Sequence, residues 1–176
     1  RSLKSDFDPV KTCFCYDPDG TLVQFVEIID HKKINPRLSG DQPSNTLILK
    51  TRHVGVVSKN LQISLNFWVN IIGFNVLEKE YESDEYEKGI HLDSITGQKD
   101  TAIKIIKIIG PNQFMIELLE FKNNETPDVV RETTSYGITH FAFQVDNIEE
   151  KYKYLTSKVE KFVDFSKKIA QNTKLN

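Results

Sequence analysis

The chain has 176 residues, 39% of them apolar and 27% charged, with a net charge of −2. That length holds one ordinary domain or two small halves sharing a core, and the near-neutral charge, with lysines scattered among acids and apolar residues, gives no electrostatic reason to expect nucleic acid or an anionic membrane as partner. No run approaches the ~20 apolar residues of a membrane-crossing helix, and the polar start lacks a signal-peptide pattern, so a cytoplasmic location is expected.

In chain order, residues 11–16 alternate in the manner of a strand, Asp17-Pro18-Asp19-Gly20 is a tight turn, and residues 21–29 read as a second strand, giving a β-hairpin. Cys13 and Cys15, the two cysteines, then point to one face of a strand, a poor geometry for a mutual disulfide, and are expected to stay reduced. Residues 31–44 carry Pro36, Gly40 and Pro43 and read as a linker. A strand over 50–57 leads into a helix over 60–72, with Asn60 as N-cap, Gly73 at the C-terminal cap, and Leu61, Leu65, Trp68 and Ile72 as its apolar stripe. Strands are expected over 75–81, 101–109 and 114–121, and a short one over 90–94. The polar stretch 122–135 connects to a further strand over 137–145 and a helix over 147–159, opened by Asn147 with Glu150 three residues on. Residues 162–165 are a final short strand candidate.

The strand-then-helix unit occurs twice. The same 87 residues separate His53 from His140 and Asn60 from Asn147, and at that offset Leu61, Leu65, Trp68 and Ile72 fall on Ile148, Tyr152, Leu155 and Val159. A shared period of this kind marks a duplicated supersecondary unit. The first unit is complete, in the order β-α-β-β-β, and the second lacks its last strands. The start of the chain matches them: residues 111–120 lie without a gap on residues 18–27, which sets Glu117 on Gln24. The parts are therefore residues 1–29, a hairpin that completes the second module; 30–45, a linker; 46–122, the first module; 123–135, a connector; and 136–176, the start of the second module. Docking of the hairpin within its own chain, as a circular permutant, leaves no strand edge unpaired and is favoured. Strand exchange in a homodimer and a segment of a longer tandem array also accommodate the parts.

Strand alternation puts His53 on a face with Gly55 and Val57, His140 with Ala142 and Gln144, Glu117 with Met115 and Leu119, and Gln24 with Leu22 and Val26. Related by a pseudo-twofold axis, the two histidines would face each other, as would Glu117 and Gln24. Two imidazoles, a carboxylate and an amide oxygen suit a divalent ion, and the set does not choose among Zn, Ni, Co, Mn and Fe. A lone strand histidine is usually structural; two in register, with a carboxylate inside an apolar strand, shift that balance. Glu120 and Glu27 alternate to the other face and are expected to be solvated, as are His31 and His91.

These motifs resemble the vicinal oxygen chelate superfamily, which includes lactoylglutathione lyases, epimerases, extradiol dioxygenases and bleomycin or fosfomycin resistance proteins. The carriers are Arg52-His53-Val54-Gly55-Val56-Val57, Leu65-Asn66-Phe67-Trp68 and Ile72-Gly73-Phe74, Met115 to Glu120, Gly137 to Phe143, and Asp17 to Glu27. The resemblance implies an α+β fold of paired β-α-β-β-β modules, a glyoxalase-like pair of half-barrels, whose second module is circularly permuted or completed by strand exchange. It also implies metal ligands at His53, Glu117, His140 and Gln24, and a small-molecule substrate with vicinal oxygens. The expected reaction is that of a lyase or isomerase working through a metal-stabilised enediolate. Gln24 departs from the family's pattern, which usually has Glu there. An amide has no proton affinity near neutral pH, so Glu117, at the pseudo-equivalent position, is the expected base. An Fe(II) extradiol dioxygenase and a non-catalytic binder of the resistance-protein kind are the competing classes.

Overall fold

The computed structural model describes residues 10–28, 51–77, 85–122, 134–138 and 140–159. The linker 30–45, most of the connector 123–135, His31 and the strand candidate at 162–165 lie outside them. The chain divides into two compact units, residues 1–140 and 141–176.

In the first unit, strands β1 (Val10–Tyr16) and β2 (Leu22–Ile28) pair antiparallel as a two-stranded sheet. Their turn is fixed by Asp17, whose Oδ1 accepts from the backbone N–H groups of Asp19 and Thr21 at 2.9 and 2.7 Å. The main sheet has the order β3-β7-β6-β4: β3 (Val54–Val57), β4 (Asn75–Val76), β6 (Ala102–Ile109) and β7 (Met115–Phe121), with β5 (Glu87–Lys88) pairing β6. β3 and β7 run parallel, which puts Gly55 opposite Glu117; β6 and β7 run antiparallel.

Helix α1 (Leu61–Leu65) continues into a π-helical stretch (Asn66–Ile72) that connects β3 to β4. Asn60 caps it, its Oδ1 accepting from the N–H of Ile63 at 3.0 Å. Gly73 ends it in the left-handed conformation (φ 99°) that a side chain would resist. The expected stripe is the one that packs: Leu61 and Leu65 are buried against Ile106, Ile108, Ile116, Leu118 and Phe74, with Trp68 and Ile72 alongside. The helix thus covers one face of the sheet, and the other face carries His53, Gly55 and Glu117.

Two sequence expectations change in this unit. Residues 90–94 are not a strand but the start of α2 (Ile90–Thr96). The alternation of Ile90 and Leu92 is misleading, because only Leu92 is buried and Ile90 is 83% exposed. Asp93 settles the geometry: its carboxylate accepts from the N–H groups of Thr101 and Asp100, tying the helix to the start of β6. Glu120 is not merely solvated. Its Oε2 accepts from the N–H of Leu61 at 2.6 Å, and its Oε1 from the Tyr86 hydroxyl. The carboxylate therefore satisfies an orphan donor at the start of α1 and complements its dipole. Accepting that bond also holds the Tyr86 hydroxyl above its usual pKa.

The second unit contains α3 (Ile148–Thr156), capped by Asn147, whose Oδ1 accepts from the N–H of Glu150 at 3.1 Å, with Glu149 and Glu150 in the first turn. The strand expected over 137–145 is absent among the described residues. Among the described residues no strand pairing is assigned over 141–145, and Phe143 and Val145 are 44% and 38% exposed.

Ile108, Ile116 and Leu118 are fully enclosed. Ile116→Ala should therefore cost about 2–5 kcal/mol. Gly110 is equally constrained, since a Cβ there would fall 2.4 Å from the Phe74 ring, and Gly110→Ala should cost about 1–3 kcal/mol by overpacking. Urea unfolding followed by Trp68 fluorescence checks both; losses within about 0.5 kcal/mol, the range of ordinary surface substitutions, would show that the core is elsewhere.

Candidate metal centre

Three of the sequence-predicted positions meet at one atom. His53 Nε2 lies 3.1 Å from Gln24 Oε1 and 3.4 Å from Glu117 Oε2. Each residue is delivered by a different strand segment. His53 immediately precedes β3, Glu117 is held beside β3 by the parallel ladder to Gly55, and Gln24 comes from the hairpin. Gln24 is itself oriented: its Nε2 donates to Thr12 Oγ1 at 3.0 Å, which turns its carbonyl oxygen toward the imidazole. Thr12 in turn donates to the carbonyl of Phe25.

His53 and Glu117 are largely enclosed, their side chains 13% and 19% exposed. Burial depresses the His53 pKa below its ordinary 6.5; the Glu117 carboxylate pushes the other way, and the charges of Arg52 and Lys107 add to the depression. The imidazole is therefore neutral at neutral pH, and Nε2 has one site to offer, either as N–H donor or as lone pair. Two oxygen acceptors converge on that one site, and the buried Nδ1 has no hydrogen-bond partner. A cation among one nitrogen and two oxygens would satisfy all three at once. The donor set accordingly fits a divalent metal, with Gln24, His53 and Glu117 as the residues that would hold it.

His140, the fourth expected position, is exposed. Among the described residues no three His, Cys, Asp or Glu side chains stand close enough to hold an ion, so His140 is not gathered with His53 and Glu117 in this structure. Arg52 opens the first motif, but the sequence assigns it no role. It lies beside His53 and lines the same hollow of about 250 Å³, with Asn112, Gln113, Phe114 and Met115. The repeat gives no hint of it, because its counterpart before His140 is Thr139.

A mixed sheet with a helix on one face and a His–Glu–Gln cluster on the other defines a class: a mixed α+β domain with a candidate metal centre on its sheet. Residues 50–165 match the family model of the Glyoxalase/Bleomycin resistance protein/Dioxygenase superfamily, and the chain belongs to that superfamily. A crystal structure of a glyoxalase family protein from Bacillus cereus is similar in fold, with a TM-score of 0.54 and 22% identity over 66% of this chain and 76% of that one. No curated protein matches the chain in sequence. No described helix is long and apolar enough to cross a membrane.

The His53 ring of the metal-free protein should titrate below 6.5, followed by NMR of the imidazole carbons. Glu117→Gln removes the one charge that raises this pKa and should lower it further; Arg52→Gln should raise it. The sign for stability follows. The unfolded chain takes the proton first, so stability falls as pH drops from 6.5 toward the folded pKa, and His53 contributes no such slope above 6.5. A midpoint above 6.5 would contradict the burial argument.

Proposed function

We infer that the protein is a metal-dependent lyase or isomerase of the glyoxalase type, acting on a small substrate with vicinal oxygens. The observation that carries this reading is the convergence of Gln24 Oε1 and Glu117 Oε2 on His53 Nε2. Members of the superfamily commonly use divalent metals. When bound, such an ion supplies a Lewis acid for the negative charge left on two vicinal oxygens as a carbon-bound proton departs.

The residues divide the remaining work. His53 and Gln24 are neutral donors, so they hold a cation without cancelling its charge. Glu117 is the one carboxylate of the cluster and the one member able to accept a proton and return it. Taking the proton from one carbon and delivering it to the neighbouring one gives an isomer; returning it to the opposite face of the same carbon gives an epimer. From a hemithioacetal the isomer is a hydroxy acid thioester. Met115 and Leu119 share the face of β7 that carries Glu117, and the Glu117 side chain is 19% exposed. His140 is the fourth ligand in this reading.

The test is exchange. Protein loaded with a divalent ion is incubated in D₂O with small hydroxy-carbonyl compounds and hemithioacetals, and loss of the C–H signal is followed by NMR. Glu117→Gln should slow exchange by about 10²–10⁴-fold, the usual contribution of a general base. His53→Ala should lose metal uptake measured by elemental analysis. Full exchange in Glu117→Gln would refute the base assignment. Small-molecule binding with no metal uptake would make the protein a binder of the resistance kind.

A further inference from the structure

The hollow beside His53 has a chemistry of its own. At about 250 Å³ it is smaller than the ~300–1,000 Å³ of pockets that take drug-sized ligands. It admits a molecule of a few heavy atoms, or one end of a larger one. Phe114 and Met115 give it an apolar lining, and it is also lined by Arg52, half-buried and without a carboxylate partner among the described residues. Arg52 is a partly buried positive charge beside apolar side chains, and a ligand in the hollow could supply its counter-charge. Lys107, the other cation whose charge reaches His53, stands opposite Glu117 in the β6–β7 register and does not line the hollow.

The remaining wall is a turn in a costly conformation. Asn112 and Gln113 both lie in the left-handed region, at φ 53° and 59°. Neither is glycine, and such residues persist where the surroundings over-determine them. Here Gly110 N–H donates to the Phe114 carbonyl at 2.8 Å, Phe114 N–H donates to the Pro111 carbonyl at 3.1 Å, and the close seat of Gly110 on Phe74 leaves the turn no slack. Asn112 and Gln113, both exposed, line the hollow with Arg52, and their side-chain amides are of the type that donates to an anion.

We propose that this hollow takes a small carboxylate, paired with Arg52 and hydrogen-bonded by Asn112 and Gln113, with the remainder of the molecule directed toward His53. The planar fork of a guanidinium matches two carboxylate oxygens, which favours a carboxylate over a monodentate anion. The inference deepens the metal-site reading by naming the substrate class, a small acid with a further oxygen next to its carboxylate, and it rests on that reading for the direction of the reacting end.

The 176-residue chain is titrated in EDTA with pyruvate and, separately, with the neutral isostere pyruvamide, and binding is read from backbone amide NMR shifts. Pyruvate should bind about tenfold more tightly than pyruvamide, as one charge-assisted contact warrants, with shifts concentrated at residues 51–53 and 112–115. Arg52→Gln should abolish the preference and Arg52→Lys should keep part of it. Equal binding of the two probes, a preference that survives Arg52→Gln, or shifts elsewhere would overturn the proposal. Metal uptake is measured on the same sample without EDTA. A carboxylate preference in a protein that takes up no ion would sink the metal reading and leave the hollow's assignment standing; uptake without the preference would do the reverse.

Discussion

A single imidazole nitrogen facing two oxygen acceptors is the constraint around which this structure is arranged. Gln24 Oε1 and Glu117 Oε2 approach His53 Nε2 together, and a neutral imidazole has one proton at most to share there. Burial, together with the charges of Arg52 and Lys107, keeps the ring neutral, so the crowding is not relieved by a second proton on the ring. A divalent ion placed there would relieve it. The fold that maintains this arrangement is economical. The parallel β3–β7 ladder sets Glu117 beside the strand His53 enters, and the hairpin brings Gln24 from the other end of the sequence.

The helical side of the sheet explains why the cluster stays in place. Ile116 and Leu118 alternate with Glu117 on β7 and are fully enclosed beneath α1 and its π-helical extension. Anchoring those two residues fixes which way Glu117 points, since a one-residue slip of the strand would turn the carboxylate into the core. Glu120 on the same strand caps α1 at Leu61. One strand therefore holds the helix with one carboxylate and presents the other to the site.

Much of this was legible in the sequence because the relevant signals are local or periodic. Asn60, Gly73 and the stripe Leu61–Leu65–Trp68–Ile72 delimit the first helix, and Asn147 with Glu150 opens the last. The repeat singled out His53, Glu117 and Gln24 from three separate stretches. What was not legible depends on tertiary partners. Residues 90–94 carry a strand-like alternation, yet Asp93 binds backbone donors of 100–101 and a helix results. Residues 141–145 have a strand's pattern, yet no strand is assigned to them among the described residues. Glu120 looked like a surface acid because nothing in its neighbourhood along the chain reveals the start of α1, whose first N–H it accepts. Arg52 was hidden for the same reason: the hollow it lines is closed by the turn at 112–113, distant in sequence and held at positive φ.

The proposed function requires an ion among Gln24, His53 and Glu117. An anomalous-difference map from crystals of the protein grown with Mn²⁺ or Zn²⁺ would show it as a peak within ~2.0–2.3 Å of His53 Nε2 and of oxygens from Glu117 and Gln24. A map with its peaks elsewhere, or with His53 still hydrogen-bonded directly to Gln24 and no ion between them, would contradict it.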